Sequence, residues 1–198
     1  MLETTERTLE AQSTRERILV AAREVFERHG TRGTTTREIA DRAGVNEATI
    51  FRHFGNKVAL LDAMREYSCN AMGMGQLFNS MTGDLDTDLR LLCTGLYRGI
   101  LANQAIIRIG LAEEQTDPDQ LETSFRGPQR IHEGLVTYLR SQADKGAIRG
   151  DAQELAGILM GTMFALAVKT NRFQWGSKPE ATIATFVDVF LNGVRTRN

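Results

Sequence analysis

Cysteine is scarce in this sequence, with only Cys69 and Cys93 among 198 residues. Two thiols do not form the disulfide framework of a small secreted domain, and both lie in apolar stretches typical of core positions. Long apolar runs are also missing, because the longest, residues 158–168, is broken by Gly161 and Thr162. With a polar N-terminus as well, we expect a cytoplasmic protein without a signal peptide or a membrane span.

Catalytic and metal-binding motifs are missing too. The sequence contains no nucleophile elbow, no phosphate-binding glycine loop, no dinucleotide-binding glycine motif after a strand and no zinc-protease motif. Its three histidines, His29, His53 and His132, are scattered along the chain. We therefore predict that the protein is not an enzyme and binds neither a metal nor a cofactor.

The charge is nearly balanced overall but is distributed unevenly. The formal net charge is −1, whereas residues 11–57 contain nine Lys/Arg and six Asp/Glu. Contacts with DNA phosphates need cations only at the contact surface, so a local positive excess is compatible with DNA binding in a chain that is not basic.

Helical periodicity runs through the sequence without any strand pattern, and we predict an all-α fold of about nine helices. Residues 1–12 are expected to be a flexible arm, and the first helix to open with a Ser13–Glu16 capping box and to end at Gly30. Pro128 and Pro179 suit the first turns of later helices. Residues 73–83 lose the periodicity, which indicates a bend or loop.

Residues 34–57 are typical of two short helices joined by a tight turn. Thr35 and Glu38 have the spacing of a reciprocal capping box, Gly44 suits a helix end with positive φ, and Asn46 suits a second N-cap. This is the pattern of a helix-turn-helix, whose second helix reads the DNA major groove. A helical hairpin within a larger bundle would show the same caps, so the pattern alone leaves both interpretations open.

The stretch GVNEATIFRHFGNKVALLDAM resembles the DNA-binding signature of the TetR family of bacterial repressors, and the resemblance extends from about Arg15 to Met64. It implies a helix-turn-helix DNA-binding domain over residues 13–56 and a ligand-binding and dimerisation domain over residues 57–198. A homodimer would then bind a palindromic DNA operator and release it when a small hydrophobic effector binds. The alternative is an inducer-independent architectural or division-control protein on the same fold.

The resemblance also implies roles for single residues. Arg37 is expected to read a base edge, and Lys57 to contact phosphate beside a helix N-terminus. Phe51 stands where the family usually has tyrosine; it is expected to point inward with a packing role only, and Arg52 to compensate for the missing hydroxyl. The predicted DNA-binding residues are Thr35, Arg37, Glu47, Ala48, Thr49, Arg52, His53 and Lys57.

An effector cavity and a dimer interface are expected in the second domain. The residues predicted to line the cavity are Phe78, Leu92, Leu96, Arg108, Phe125, His132, Leu135 and Met163. For each of them, packing in the protein core is the other interpretation. The last two helices are predicted to form a four-helix bundle with those of a second copy, because their apolar stripes exceed what a monomer has left to cover. The predicted interface residues are Gly157, Gly161, Ala165, Ile183, Phe186, Val187, Phe190, Leu191 and Val194.

Overall fold

The computed structural model describes residues 13–114, 126–169 and 178–194, and these residues form ten α-helices and no β-strand. The predicted all-α fold is confirmed, while the predicted arm, residues 1–12, lies outside the described residues. The helices are α1 (Thr14–Gly33), α2 (Thr36–Ala43), α3 (Glu47–Phe54), α4 (Lys57–Asn70), α5 (Met74–Asn79), α6 (Leu85–Ala102), α7 (Gln104–Glu114), α8 (Arg126–Asp144), α9 (Ala152–Lys169) and α10 (Pro179–Val194).

Contacts group the described residues into two compact units. The head unit contains residues 13–68 and 105–114, and the second unit contains residues 69–104, 126–169 and 178–194. The expected boundary at residue 57 therefore falls inside the head unit. The reason is packing: Leu60, Leu61 and Met64 of α4 and Ile106 of α7 are buried in the same core as α1 to α3.

The first helix begins and ends as its sequence predicts. At its start, Ser13 Oγ accepts a hydrogen bond from Glu16 N (3.2 Å) and the Glu16 carboxylate accepts one from Ser13 N (2.9 Å), which completes the capping box. Regular helical geometry stops at Gly30, where φ is 65°. Thr34 closes this end, since its N–H and its hydroxyl both donate to Gly30 O, at 3.1 and 2.6 Å.

The fourth helix is fastened to the first by Arg65. Its guanidinium lies over the Phe26 ring, 5.2 Å from the centroid. It also donates to Asp62 Oδ1 at 3.2 Å and to Thr31 Oγ1 at 3.4 Å. Because Thr31 follows the Gly30 bend, these contacts hold the end of α1 against α4 within the head unit.

In the second unit, α9 packs against α6 and α8, and α10 packs against α6. The apolar stripe of α10 is buried within the unit: Phe190, Leu191 and Val194 keep only 8%, 2% and 8% of their surface exposed. The expectation that a monomer leaves this stripe uncovered is therefore wrong. The periodicity indicated the buried face of α10 correctly, but the same chain covers that face, so no second copy is needed to bury it.

Residues 74–79 form a short helix where a loop was expected. Its side chains fit positions on α6 and α8 that lack a Cβ: Leu77 lies against Gly95, and Phe78 lies against Gly134. A Cβ at Gly134 would come within 2.5 Å of the Phe78 ring, so these glycines make room for α5. The missing periodicity thus reflects a six-residue helix held in place by its neighbours.

A buried carboxylate organises the turn before α6. Asp88 is fully buried, and its two oxygens accept hydrogen bonds from Thr82 N (2.8 Å), Thr82 Oγ1 (2.9 Å), Gly83 N (2.9 Å) and Tyr138 OH (2.9 Å). Burial by itself raises the pKa of Asp88, but the hydrogen bonds outweigh it and the pKa lies below its ordinary value of 3.8. Asp88 therefore joins the 82–83 turn to α8 in its charged form.

Candidate functional site

The helix-turn-helix is built from the caps that its sequence predicts. Thr35 Oγ1 accepts a hydrogen bond from Glu38 N at 3.2 Å, and Asn46 Oδ1 accepts one from Ala48 N at 2.9 Å. Between them Gly44 adopts φ 64°, a left-handed conformation that residues with a Cβ rarely adopt. These contacts fix where α2 ends and α3 begins.

The second hydrogen bond of the expected Thr35–Glu38 capping box, from Thr35 N to the Glu38 carboxylate, is replaced by a contact with α1. The Glu38 carboxylate lies 3.2 Å from His29 Nε2, so it reaches across to α1 instead of returning to the start of its own helix. An ion pair between Glu24 and Arg42 makes a second contact between α1 and α2. Both pairs hold α2 on the helix behind it, a connection that the local spacing could not reveal.

The eight predicted DNA-binding residues all lie in the head unit, at the start of α2, along α3 and at the start of α4. Thr35, Arg37, Ala48, Arg52 and His53 are exposed, and Glu47, Thr49 and Lys57 are half-buried. Glu47 is already engaged, because its carboxylate accepts a hydrogen bond from Thr36 Oγ1 at 2.5 Å. This contact joins the start of α2 to the start of α3.

The inward position expected for Phe51 is wrong. Ile50 is fully buried and Phe54 packs on the head core, whereas Phe51 keeps 45% of its surface exposed. The cause is helical geometry: residues 50 and 54 lie four apart on one face, and residue 51 is rotated by about 100° away from residue 50. A ring without polar atoms therefore lies on the outer surface of the helix.

The sequence reading missed Arg15. Its guanidinium lies 4.5 Å from the centroid of the Phe54 ring, and its Nη1 donates to His53 O at 3.4 Å. A cation at the carboxyl end of a helix is favoured by the helix dipole, so Arg15 positions the end of α3 from α1. The two residues are separated by 38 positions in sequence, and no local pattern marks the pair.

The start of α4 offers an anion-binding arrangement. Asn56 caps the helix, its Oδ1 accepting from Ala59 N at 2.8 Å, and Lys57 is the first helical residue. A helix N-terminus with an adjacent ammonium group favours a phosphate oxygen.

The residues predicted to line an effector cavity lie in different environments. Leu92, Leu96, Leu135 and Met163 are at most 1% exposed and pack in the core of the second unit. His132 is half-buried on α8, Arg108 is exposed and belongs to the head unit, and Phe125 lies outside the described residues. These four side chains are buried in the core, and their role in lining an effector cavity stays a prediction.

The second unit instead contains a partly open cleft of about 360 Å³, formed by the end of α4, by α5 and by α8. Of the residues predicted to line an effector cavity, only Phe78 lines this cleft. At one end Arg130 Nη2 donates to Asn70 Oδ1 at 3.3 Å. The glycines at 73 and 75 were the available signal, since they bring no side chain to the cleft wall, whereas Gly127 makes room for Cys69, whose Sγ a Cβ there would approach to 2.5 Å. The lining residues are Cys69, Asn70, Gly73, Met74, Gly75, Gln76, Phe78, Gly127, Arg130 and Ile131.

Other chemistry finds little support in the described part of the chain. No group of three or more His, Cys, Asp or Glu side chains is arranged there to hold a metal ion. Burial raises the pKa of Cys93 to about 12, which keeps its thiol protonated and unreactive. Among the ten helices, none is both long and apolar enough to cross a membrane.

Comparison with known proteins agrees with this geometry. Residues 18–64 match the family described as bacterial regulatory proteins, tetR family. The uncharacterized HTH-type transcriptional regulator YvkB of Bacillus subtilis (strain 168) is 36% identical over 152 residues, covering 76% of this chain and 79% of that protein. The fatty acid degradation regulator FadR from Bacillus halodurans has a TM-score of 0.75 at 20% identity, covering 94% of this chain and 98% of that one. FadR from Bacillus subtilis, solved in complex with stearoyl-CoA, has a TM-score of 0.74 at 17% identity, covering 90% and 98%.

Proposed function

Since this chain belongs to the tetR family of bacterial regulatory proteins and is a transcriptional regulator, we propose that it is a repressor that binds a palindromic operator as a homodimer and leaves it when a small hydrophobic effector binds. The observation that carries the proposal is the outer surface of α3, where Ala48, Arg52 and His53 are exposed on a helix fixed at both ends. Such a helix is suited to the major groove.

The head residues divide into two kinds of DNA contact. Arg37 and Thr49 are assigned to base edges, and the guanidinium is the side chain best matched to guanine. Thr35, His53 and Lys57 are assigned to phosphates, which fix the position of the head without reading sequence. Glu47 has one carboxylate oxygen engaged by Thr36, so its main contribution is to hold the start of α3 in place.

Release is proposed to follow a population shift. Helix α4 contributes to both units, since residues up to Ser68 group with the head and Cys69 and Asn70 with the second unit. A ligand bound in the cleft touches this last turn of α4 and favours the conformations of α4 that suit it. DNA affinity falls if these conformations place the recognition helices out of register with successive major grooves.

The first prediction tests the division of DNA contacts. Lys57→Ala is expected to weaken binding to all sequences alike and to reduce the slope of log affinity against log salt by about one unit, because one phosphate contact is lost. Arg37→Ala is expected to cost roughly 1–3 kcal/mol and to relax base preference at one position per half-site. Selection of bound sequences from random DNA, followed by titrations at several salt concentrations, measures both.

Arg140→Ala is the matched control, because Arg140 is an exposed cation on α8 outside the head unit. It should change neither the selected sequence nor the salt slope. A Lys57→Ala protein that prefers a different sequence at unchanged affinity would contradict the phosphate assignment.

The second prediction concerns the cleft. A hydrophobic effector should raise the melting temperature and lower DNA affinity together, as linkage requires. Gly75→Leu should abolish the thermal shift and leave DNA binding intact, because Gly75 lines the cleft and a Cβ there meets no other atom within 4 Å. A screen of metabolites and drugs by thermal shift, repeated with the variant, makes the measurement.

Gly110→Ala provides the control, since a Cβ at this α7 position also meets nothing within 4 Å and the residue does not line the cleft. If no compound shifts the melting temperature, the inducer-independent architectural role gains support. The full burial of Leu92, Leu96, Leu135 and Met163 is the observation that favours that second candidate.

A further inference from the structure

The cleft of the second unit has an apolar wall. Met74 and Ile131 are 3% and 7% exposed, and Phe78 is half-buried, so these three side chains supply apolar surface to it. The Phe78 ring is fixed against α8, because a Cβ at Gly134 would come within 2.5 Å of it. With a volume of about 360 Å³, the cleft lies near the lower end of the range for small-molecule sites. An apolar group of modest size therefore fits it.

The polar end of the cleft carries charge of one sign. Among the described residues that line the cleft, only Arg130 has a charged side chain, and Asn70 and Gln76 add neutral amides. The Arg130 guanidinium donates from Nη2 to Asn70 Oδ1 at 3.3 Å, which orients it beside the last residue of α4. A guanidinium has five N–H donors, so it can keep this hydrogen bond and donate to a ligand as well.

The start of α8 adds positive potential at this end. Gly127 lines the cleft from the first turn of α8, where the helix dipole is positive, and Arg126 is an exposed cation in the same turn. The first acidic residue of α8, Glu133, does not line the cleft, and its carboxylate accepts a hydrogen bond from Gln129 Nε2 at 3.2 Å. The cleft is therefore complementary to an anionic group at one end and to an apolar group along its wall.

We propose that the effector of this cleft is a small apolar molecule with an oxyanion at one end, and that Arg130 binds the oxyanion while Phe78 and Ile131 contact the apolar part. The inference rests on the proposed release of DNA by an effector and adds the chemical class of that effector. A guanidinium binds carboxylate or phosphate oxygens through charge-assisted hydrogen bonds. A neutral amide of the same shape lacks the charge, and an amine is repelled by Arg130.

The test compares ligands that differ only in the group at one end. A set of small aryl and alkyl carboxylates, hydrocinnamate and naphthaleneacetate among them, is measured beside the primary amide and the amine of each, by thermal shift and by isothermal titration calorimetry at fixed salt. Because Arg130 is exposed, acids should bind about fivefold more tightly than their amides, the upper end for an exposed ion pair. The amines should bind more weakly than the amides. The corresponding alkyl and aryl phosphates show which oxyanion the cleft prefers.

Arg130→Gln removes the charge but keeps N–H donors, and it should bind each acid and its amide with equal affinity. Asn70→Asp places a carboxylate beside Arg130, so it should weaken the acids and leave the amides unchanged. Arg140→Gln is the matched control, because Arg140 is an exposed cation on α8 that does not line the cleft; it should keep the wild-type preference for acids. Gly75→Leu fills the cleft and should remove the binding of acids and amides alike.

Two results overturn the inference: no oxyanion in the set binds the wild-type protein more tightly than its amide, or the preference for oxyanions persists in Arg130→Gln. Folding of the variants is checked by circular dichroism, and Asn70→Asp decides the matter if Arg130→Gln unfolds. Operator affinity, on a sequence selected from random DNA, separates this inference from the proposed function. Acids that bind in the cleft without lowering operator affinity contradict the proposed release alone. Neutral compounds or amines that bind there and lower operator affinity, where acids do not, contradict only the ligand class.

Discussion

Replacing Ile158 and Val189 together by glutamate is expected to convert the protein into a folded monomer that loses operator affinity by roughly three orders of magnitude or more, the margin between specific and non-specific binding. Ile158 on α9 is 51% exposed and Val189 on α10 is 67% exposed, although both are large apolar residues of the second unit. Both helices pack against α6, and we propose that these two exposed apolar groups belong to the surface that a second copy covers.

Small residues on α9 allow close approach of a second backbone. Gly157, Gly161 and Ala165 are exposed on α9, and a Cβ added at either glycine meets no atom within 4 Å. Two copies of α9 and α10 would form a four-helix bundle around a two-fold axis, as expected for an isologous interface. Each substitution then appears twice, so the double variant buries four unpaired carboxylates, and a buried charge without a partner costs several kcal/mol.

The choice of residues follows from the burial of the α10 stripe. Exchanging Phe190 for glutamate would place a charge in the chain's own core and unfold it, because Phe190 is only 8% exposed. Ile158 and Val189 avoid this problem. Leu91→Glu is the matched control, since Leu91 is an exposed apolar residue of the same unit on α6; it should remain a dimer by sedimentation equilibrium. A double variant that also stays dimeric and keeps its operator affinity would place the interface elsewhere.

Local rules accounted for most of the helical framework. The Ser13, Thr35, Asn46 and Asn56 caps each depend on side chains within three residues of the helix start, and all four form. The turn at Gly44 is equally local, because the requirement for positive φ belongs to one residue. Interactions of this range can be read from sequence since their partners are fixed by helical geometry.

Interactions between distant segments could not be read in the same way. The stripe of α10 showed which face is buried but not whether its own α6 or a second chain covers it. Phe51 was expected on the inward face together with Ile50 and Phe54, and the packing of Ile50 and Phe54 in the head core shows that Phe51 lies outside it. The cleft depends on where α5 meets α8, and this contact needs Gly134 to face Phe78 across 56 positions of sequence.

Asp88→Asn is expected to be the most destabilising conservative substitution in the second unit, at about 3–5 kcal/mol of unfolding free energy. The carboxylate accepts four hydrogen bonds, two from backbone N–H groups and two from hydroxyls. An asparagine turns one acceptor oxygen into an NH₂ donor, so one of the two backbone N–H groups, that of Thr82 or that of Gly83, loses its acceptor. The hydroxyl on the same side can rotate and accept from the NH₂ group, so the main loss is the buried N–H of the 82–83 turn.

Asp86→Asn is the matched control, because Asp86 lies two residues away on the same helix and pairs with Arg90 at the surface. A surface ion pair contributes about 1 kcal/mol or less, so this variant should stay close to the wild type. Urea unfolding at pH 7, followed by circular dichroism, compares the three proteins. Equal destabilisation by the two substitutions would show that the Asp88 hydrogen bonds contribute no more than an exposed pair.

The stability that Asp88 provides should depend on pH with a definite sign. Because its pKa is lower in the folded chain than the ordinary value of 3.8, the folded state binds fewer protons than the unfolded chain at acid pH. The contribution is fully present above about pH 4, and it is lost as the pH falls through the lower folded pKa. The difference in unfolding free energy between the wild type and Asp88→Asn should therefore be constant from pH 7 to pH 5 and narrow below pH 4. A difference that stays constant down to pH 2.5 would mean that the charge on Asp88 does not hold the turn.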